Sequence, residues 1–299
     1  MTSQPTESDR PLPAVPGVRH EYVDAGGLRM HVAIAGADHD ETVVLLHGWP
    51  EHWYCFRHLI PKLAGKYRVV VPDLRGFGWT DAPRAGYGKD QLGADVVHAL
   101  DALGIDDFYL VGHDWGGFAG YHVALAQPQR VIALVAMNTG HLWLKPGTAG
   151  APWRLAYQPL LATPVIGRRL FLKLMLAGLA RNCEQRGAWD PQARASFLGQ
   201  FDEPARARAT VGLYRSFVTR EAPAILRGRY RGRVLEMPVL AIHGRDDPVI
   251  DEGIFAGLDA AAPDLEIALV DGAGHFVAEE APDTVLDVLL PFLTSNSRR

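Results

Sequence analysis

The sequence predicts an α/β architecture: a mostly parallel central sheet flanked by helices, interrupted by one all-helical insert. Three observations predict it. Short runs of β-branched and aliphatic residues with little polar alternation recur between turn residues, as strands buried on both faces of a parallel sheet do. Helix-length segments separate those runs, and such alternation builds a sheet with right-handed crossovers. Between roughly Thr139 and Glu236 the alternation stops and the charge changes: sixteen Lys and Arg stand there against six Asp and Glu, in a chain of net charge −4.

The elements follow in order. Residues 1–17 contain Pro5, Pro11, Pro13 and Pro16 and no apolar run, so they are expected to form a flexible tail and not a signal peptide. Glu21–Asp24 and Met30–Ala35 straddle Gly26-Gly27 and predict an antiparallel hairpin at the sheet edge. Val43–Leu46, Val69–Val71, Phe108–Val111, Val131–Val135, Val239–Ile242 and Ile267–Val270 are the predicted core strands. Helices are predicted over Trp53–Leu63, Lys89–Leu103, Trp115–Ala126, Asp251–Ala261 and Thr284–Leu293. Within the second of these, Leu92, Val96, Val97, Leu100 and Leu103 recur at three- and four-residue steps and mark one buried face. In the insert, Leu155–Ala162, Arg168–Ala180, Pro191–Gln200 and Pro204–Val218 suit helices, and Arg227–Arg233 reads as a solvated return linker. The expected organisation is therefore a core of residues 18–138 and 237–299 carrying a helical cap of residues 139–236.

Composition narrows the functional classes. At 299 residues the chain is about twice a typical ~150-residue domain, which one large α/β unit also accommodates. Apolar residues at 48% and charged residues at 21% describe a globular protein. The small negative net charge and a pI near 6.3 give nothing for nucleic acid or an anionic membrane to bind. Cys55 and Cys183 supply neither a disulfide framework nor a zinc cluster. The longest apolar stretch, Leu170–Ala180, is interrupted by Lys173 and falls short of the ~20 residues of a membrane span. A cytoplasmic monomer or homodimer is expected.

The chemistry concentrates after the strand Phe108–Val111, in Gly112-His113-Asp114-Trp115-Gly116-Gly117 at the start of a helix. This is the spacing of a nucleophile elbow, Gly-x-Ser-x-Gly, with aspartate in place of serine. A sharp strand-to-helix turn strains the central residue, and flanking glycines let neighbouring segments approach without Cβ clashes. The side chain then stands at the carboxyl end of a parallel strand, where such sheets bind ligands. Two partners follow in the order nucleophile, acid, histidine. Gly244-Arg245-Asp246-Asp247 ends one strand and Gly272-Ala273-Gly274-His275 ends the next. Asp247 is favoured over Asp246 as the acid that orients His275.

These motifs, with His47-Gly48-Trp49-Pro50 and Asp73-Leu74-Arg75-Gly76-Phe77-Gly78, resemble the α/β-hydrolase superfamily across nearly all of residues 20–294. The likeness is greatest to epoxide hydrolases, with haloalkane dehalogenases next. The resemblance implies that the backbone N–H groups of Trp49 and Trp115 form the oxyanion hole and that Pro50 follows a cis peptide. It also implies that His47, Trp49, Pro50 and Trp115 line the substrate site. Tyr157-Gln158 and Tyr214-Arg215 resemble the lid segments that carry paired phenol acids, whereas Tyr230 is assigned to structure.

An aspartate nucleophile selects among reactions. With an ordinary pKa near ~3.9 a carboxylate needs no base to attack a saturated carbon, and it forms an alkyl-enzyme ester. A histidine left free can then activate water against that ester. Ordinary serine-type ester hydrolysis is disfavoured, and no metal, nucleotide or redox cofactor is needed. Epoxide opening requires proton donation to an alkoxide, which a phenol of pKa near ~10 can supply. A halide would instead need N–H donors, for which Trp115 with Trp143, Trp153 or Trp189 are candidates, although many dehalogenases carry Asn where Trp49 stands. The expectation is hydrolysis of a mainly apolar epoxide to a diol. Dehalogenation is the alternative and a non-catalytic receptor a remote one.

Overall fold

The computed structural model describes residues 10–144, 156–165 and 167–298. Eight strands form one sheet: β1 (Arg19–Asp24), β2 (Arg29–Ala35), β3 (Thr42–Leu46), β4 (Arg68–Pro72), β5 (Phe108–His113), β6 (Val131–Met137), β7 (Val239–Gly244) and β8 (Leu265–Val270). Their order is β1-β2-β4-β3-β5-β6-β7-β8, antiparallel at β1–β2–β4 and parallel from there to β8. The hairpin between β1 and β2 turns at Gly26 and Gly27, both in the left-handed region. β3, β5, β6 and β7 are buried throughout, which is why their runs are continuously apolar. β8 departs from that expectation: it is the edge strand beyond β7, so Ile267 is 47% exposed.

Helices α2 (Lys89–Ala102), α3 (Trp115–Ala126) and α10 (Pro282–Ser295) are each a single run. The predicted helix over Trp53–Leu63 is instead a 3-10 turn, Trp53–Phe56, followed by the short α1 (Ile60–Leu63). Asp251–Ala261 also shortens to a 3-10 turn at Glu252–Phe255, because the backbone is extended at Ala256 and Gly257 follows with a positive φ. A further short helix, α9 (Val277–Glu280), precedes α10.

Between β6 and β7 the described residues contain helices and no strand. These are α4 (Tyr157–Leu161), α5 (Leu172–Gln185), α6 (Pro191–Gly199), α7 (Pro204–Ser216) and α8 (Ala222–Leu226). Asp190 caps α6 by accepting from the Ala193 N–H, and Pro191 occupies its first turn. A π-helical turn, Phe217–Glu221, joins α7 to α8, so the helical run passes beyond the predicted end at Val218. This excursion shares the core beneath it: Tyr214, Leu213 and Ala209 pack in one cluster with Trp49, Trp115 and Phe118. A second cluster fills the opposite face of the sheet around Trp53, Phe56 and Leu289.

Part of the segment expected to be a flexible tail is docked. The Trp79 indole donates to the Arg10 carbonyl at 3.0 Å, the Arg10 guanidinium meets Glu203 at 2.8 Å and also bonds the Gly78 carbonyl, and Val15 is buried.

Candidate active site

Asp114 sits between β5 and α3 at φ 48°, ψ −120°, a conformation that L-residues seldom adopt. The surroundings enforce it. A Cβ on Gly116 would run into the carbonyl oxygens of Leu46 and His47, and one on Gly112 would lie 2.6 Å from the Gly117 backbone. Asp114 N–H donates to Met137 at 3.1 Å, and its carbonyl accepts from Phe118 N–H at 3.0 Å and from the Thr139 hydroxyl at 2.6 Å. Backbone strain is thus held by bonds from β6, α3 and the Thr139 hydroxyl.

His275 reaches this carboxylate from the loop after β8. Its Nε2 lies 3.9 Å from Asp114 Oδ1, and its Nδ1–H donates to Asp247 Oδ2 at 2.8 Å. Asp247, in the loop after β7, is fixed by His275, the Val249 N–H (2.7 Å), the Ile250 N–H (3.0 Å) and the Asn138 amide (2.7 Å). Asp246 points elsewhere, 56% exposed and 3.5 Å from Arg186. Burial pushes the His275 imidazolium down, but the charge and hydrogen bond of Asp247, with Asp114 behind them, outweigh burial and hold it at about 9. Burial likewise works against the Asp247 carboxylate, yet the facing imidazolium and the donors bring it down to about 2.

On the other side of Asp114, the Trp49 N–H donates to Oδ2 at 2.9 Å. Trp115 opens α3, so its N–H has no acceptor within the helix. The Tyr157 and Tyr214 hydroxyls interact with each other and with the Asp114 charge. Their rings meet edge to face at 5.9 Å, and Tyr214 also packs edge-on against Trp49 and Trp115, each at 5.5 Å. Burial, then the neighbouring Asp114 charge, pushes the Tyr157 phenol far up. For Tyr214, burial leads, followed by Tyr157 and Asp114. Both phenols are therefore donors at neutral pH.

His47 departs from expectation. It is fully buried, its Nε2 accepts from the Leu74 N–H (2.9 Å) and its Nδ1 donates to the Gly48 carbonyl (2.8 Å). With both ring nitrogens committed to backbone it secures the turn and has none left for substrate. Pro50 does follow a cis peptide, and its carbonyl accepts from the Gln200 amide at 2.7 Å. The indoles considered as halide donors are engaged elsewhere: Trp143 with the Arg233 carbonyl (2.9 Å) and Trp189 with Glu51 (3.3 Å). Trp153 lies outside the described residues. The Trp115 indole nitrogen is buried beside the Tyr214 hydroxyl without a full hydrogen bond. Tyr230 packs against His122, away from the site.

Several residues here escaped the sequence reading. Asn138, at φ 40°, donates to Asp247 and to the Gly274 carbonyl (3.2 Å), and accepts from the Gly244 N–H (3.2 Å). His113 donates from Nε2 to the His275 carbonyl at 2.8 Å, steadying the histidine loop. Thr210 accepts the Trp49 indole N–H at 3.0 Å. Asn138 and Thr139 directly follow β6, which runs two residues past the predicted strand Val131–Val135, and the rule that ligands gather at strand carboxyl ends is the signal that points to that stretch. Among the described residues no group of three or more His, Cys, Asp or Glu is arranged to hold a metal, and no helix is long and apolar enough to cross a membrane.

Comparison with known proteins identifies the family. The family model for the alpha/beta hydrolase fold matches residues 41–282. The chain is 33% identical to epoxide hydrolase A of Mycobacterium tuberculosis, over 91% of this chain and 96% of that protein. It is 29% identical to a soluble epoxide hydrolase of Corynebacterium sp. (strain C12), over 92% and 97%. Among solved structures, the epoxide hydrolase CorEH superposes with a TM-score of 0.81 at 26% identity, covering 94% of this chain and 100% of that one. The chain belongs to the α/β-hydrolase fold family and is an epoxide hydrolase-like hydrolase.

Proposed function

We propose that the protein hydrolyses epoxides to vicinal diols through a covalent ester on Asp114. One observation carries this reading: a carboxylate in a strained elbow has a histidine–carboxylate pair beside it and lies within the electrostatic reach of two neutral phenols whose rings meet edge to face. Residues 139–236 act as the cap that supplies the phenols, and residues 18–138 and 237–299 as the core that supplies the rest.

In the first step an Asp114 oxygen bonds to a ring carbon, the bond from that carbon to the epoxide oxygen breaks, and the alkoxide so formed takes a proton from Tyr157 or Tyr214. The ester has no negative charge, so the hold on the His275 proton weakens; that proton returns to the phenolate and leaves a neutral imidazole. His275 then takes a proton from water as the water oxygen adds to the ester carbonyl. The Trp49 and Trp115 N–H groups stabilise the resulting oxyanion. Collapse expels the diol, with the His275 proton passing to its oxygen, and the Asp114 carboxylic acid left behind gives its proton to His275, which restores both the carboxylate and the imidazolium. Asp247 and Asn138 keep the imidazole oriented throughout.

His275→Gln tests the scheme, since alkylation needs no base and hydrolysis does. Incubated with an aryl or alkyl epoxide, this variant is expected to gain the full mass of the substrate on intact-protein mass spectrometry. An unmodified mass after prolonged incubation contradicts the scheme. A haloalkane in a parallel incubation tests the alternative: adduct formation and halide release there, with the epoxide untouched, assigns dehalogenation. If wild-type protein consumes neither, the fold serves binding.

A further inference from the structure

Lys89, the first residue of α2, is fully buried, a state lysine rarely adopts without specific partners. Its cation also stands at a helix N-terminus, the end that repels positive charge. Two unfavourable placements at one residue call for a compensating role, and its contacts define one. Nζ donates to the Leu213 carbonyl at 2.7 Å, lies 3.5 Å from Glu221 Oε2, and stands 4.3 Å from the centre of the Trp115 ring. Leu213 immediately precedes Tyr214, and Trp115 immediately follows Asp114. One ammonium therefore touches the neighbour of the nucleophile and the neighbour of a phenol donor, bridging the core to the helical excursion.

The local structure is built around this contact. The π-helical turn Phe217–Glu221 sets Glu221 against Nζ, and π turns of this kind concentrate at functional places. Glu221 is itself oriented by the Ser216 hydroxyl, which donates to Oε1 at 2.6 Å. The Phe217 ring lies 5.2 Å from Nζ and packs on Trp115 at 4.9 Å. Burial pulls the ammonium down to about 8, opposed by Glu221 and Asp114, so the cation persists at neutral pH.

Building on the proposed function, we infer that Lys89 is a positioning residue for ring opening: it clamps Trp115 and the Leu213–Tyr214 peptide so that the Tyr214 hydroxyl stands over Asp114. It touches no reacting atom. Tyr214 serves alkylation and not ester hydrolysis, and Lys89 meets only the Trp115 ring while the start of α3 holds the Trp115 N–H that serves hydrolysis, so the loss of Lys89 is expected to fall on the first step.

Single-turnover kinetics with an aryl epoxide, following ester formation and ester decay separately, tests this. Lys89→Met is expected to slow ester formation by ~10-fold or more, within the ~10²–10⁴-fold of a general acid, and to leave ester decay within about twofold of wild type. In a cycle with Tyr214→Phe the two changes must be non-additive, since Lys89 has nothing to position once the phenol is gone. Should Lys89→Met fail to fold because Glu221 is left without its cation, the double variant Lys89→Met/Glu221→Gln takes its place. Ester formation at the wild-type rate, equal slowing of both steps, or additivity with Tyr214→Phe overturns the assignment. Wild-type protein that forms no adduct at all refutes the proposed function and this role with it.

Discussion

Removing the charge of Asp114 should make His275 a much weaker holder of its proton. In the free protein His275 is held at about 9, with Asp114 Oδ1 3.9 Å from its Nε2. Opposite unit charges at that distance attract by ~1 kcal/mol in water-like surroundings and by ~4 kcal/mol at an effective dielectric of ~20. Since ~1.4 kcal/mol is a tenfold change in proton affinity, Asp114→Ala should lower the His275 titration midpoint by about one to three pH units. Asp247 remains 2.8 Å away, so the ring keeps its orientation. The assay is NMR titration of the histidine ring signals. The chain has twelve histidines, so the His275 signal is assigned by its disappearance in His275→Gln. A midpoint in Asp114→Ala equal to that of wild type would refute the idea that alkylation of Asp114 switches His275 from cation to base.

Three further outcomes are expected. Tyr157→Phe and Tyr214→Phe should each slow epoxide opening by up to ~10²–10⁴-fold in single-turnover assays while sparing ester decay. Asn138→Gly keeps the positive φ but removes the amide bonded to Asp247; it should cost ~1–3 kcal/mol in urea denaturation and slow ester decay more than ester formation. Stability should depend on pH through the His275–Asp247 pair. Raised from its ordinary 6.5 to about 9, His275 contributes fully below 6.5 and loses that contribution as pH rises through about 9. Lowered from 3.8 to about 2, Asp247 contributes above 3.8 and loses it as pH falls through about 2. Thermal melts across both windows, with Asp247→Asn flattening the alkaline loss, check this.

The strands were legible because burial on both faces leaves no room for polar residues, and the exposed edge strand β8 is where that rule weakens. The elbow was legible because its glycines sit where any Cβ would strike backbone, a constraint that shows directly as spacing. Asp246 and Asp247 differ by one position, and only the turn decides which faces the imidazole and which faces Arg186. Asn138 was silent in the sequence because its role depends on β6 lying between β5 and β7, which sets its amide beside the loop that carries Asp247. His47 misled for the opposite reason: a histidine next to a glycine turn reads the same whether it faces substrate or bonds the backbone beneath it. Nothing in the sequence around Lys89 marks it as buried, because the Leu213 carbonyl, Glu221 and the Trp115 ring that cover it come together only in the fold.

A single turnover in heavy-oxygen water, with protein in excess over epoxide, tests the covalent Asp114 route most directly. Water attacks the ester carbonyl and not the substrate carbon, so the diol should carry no heavy oxygen and the peptide containing Asp114 should acquire it. Heavy oxygen in the diol of that first turnover, with the Asp114 peptide unlabelled, would contradict the account.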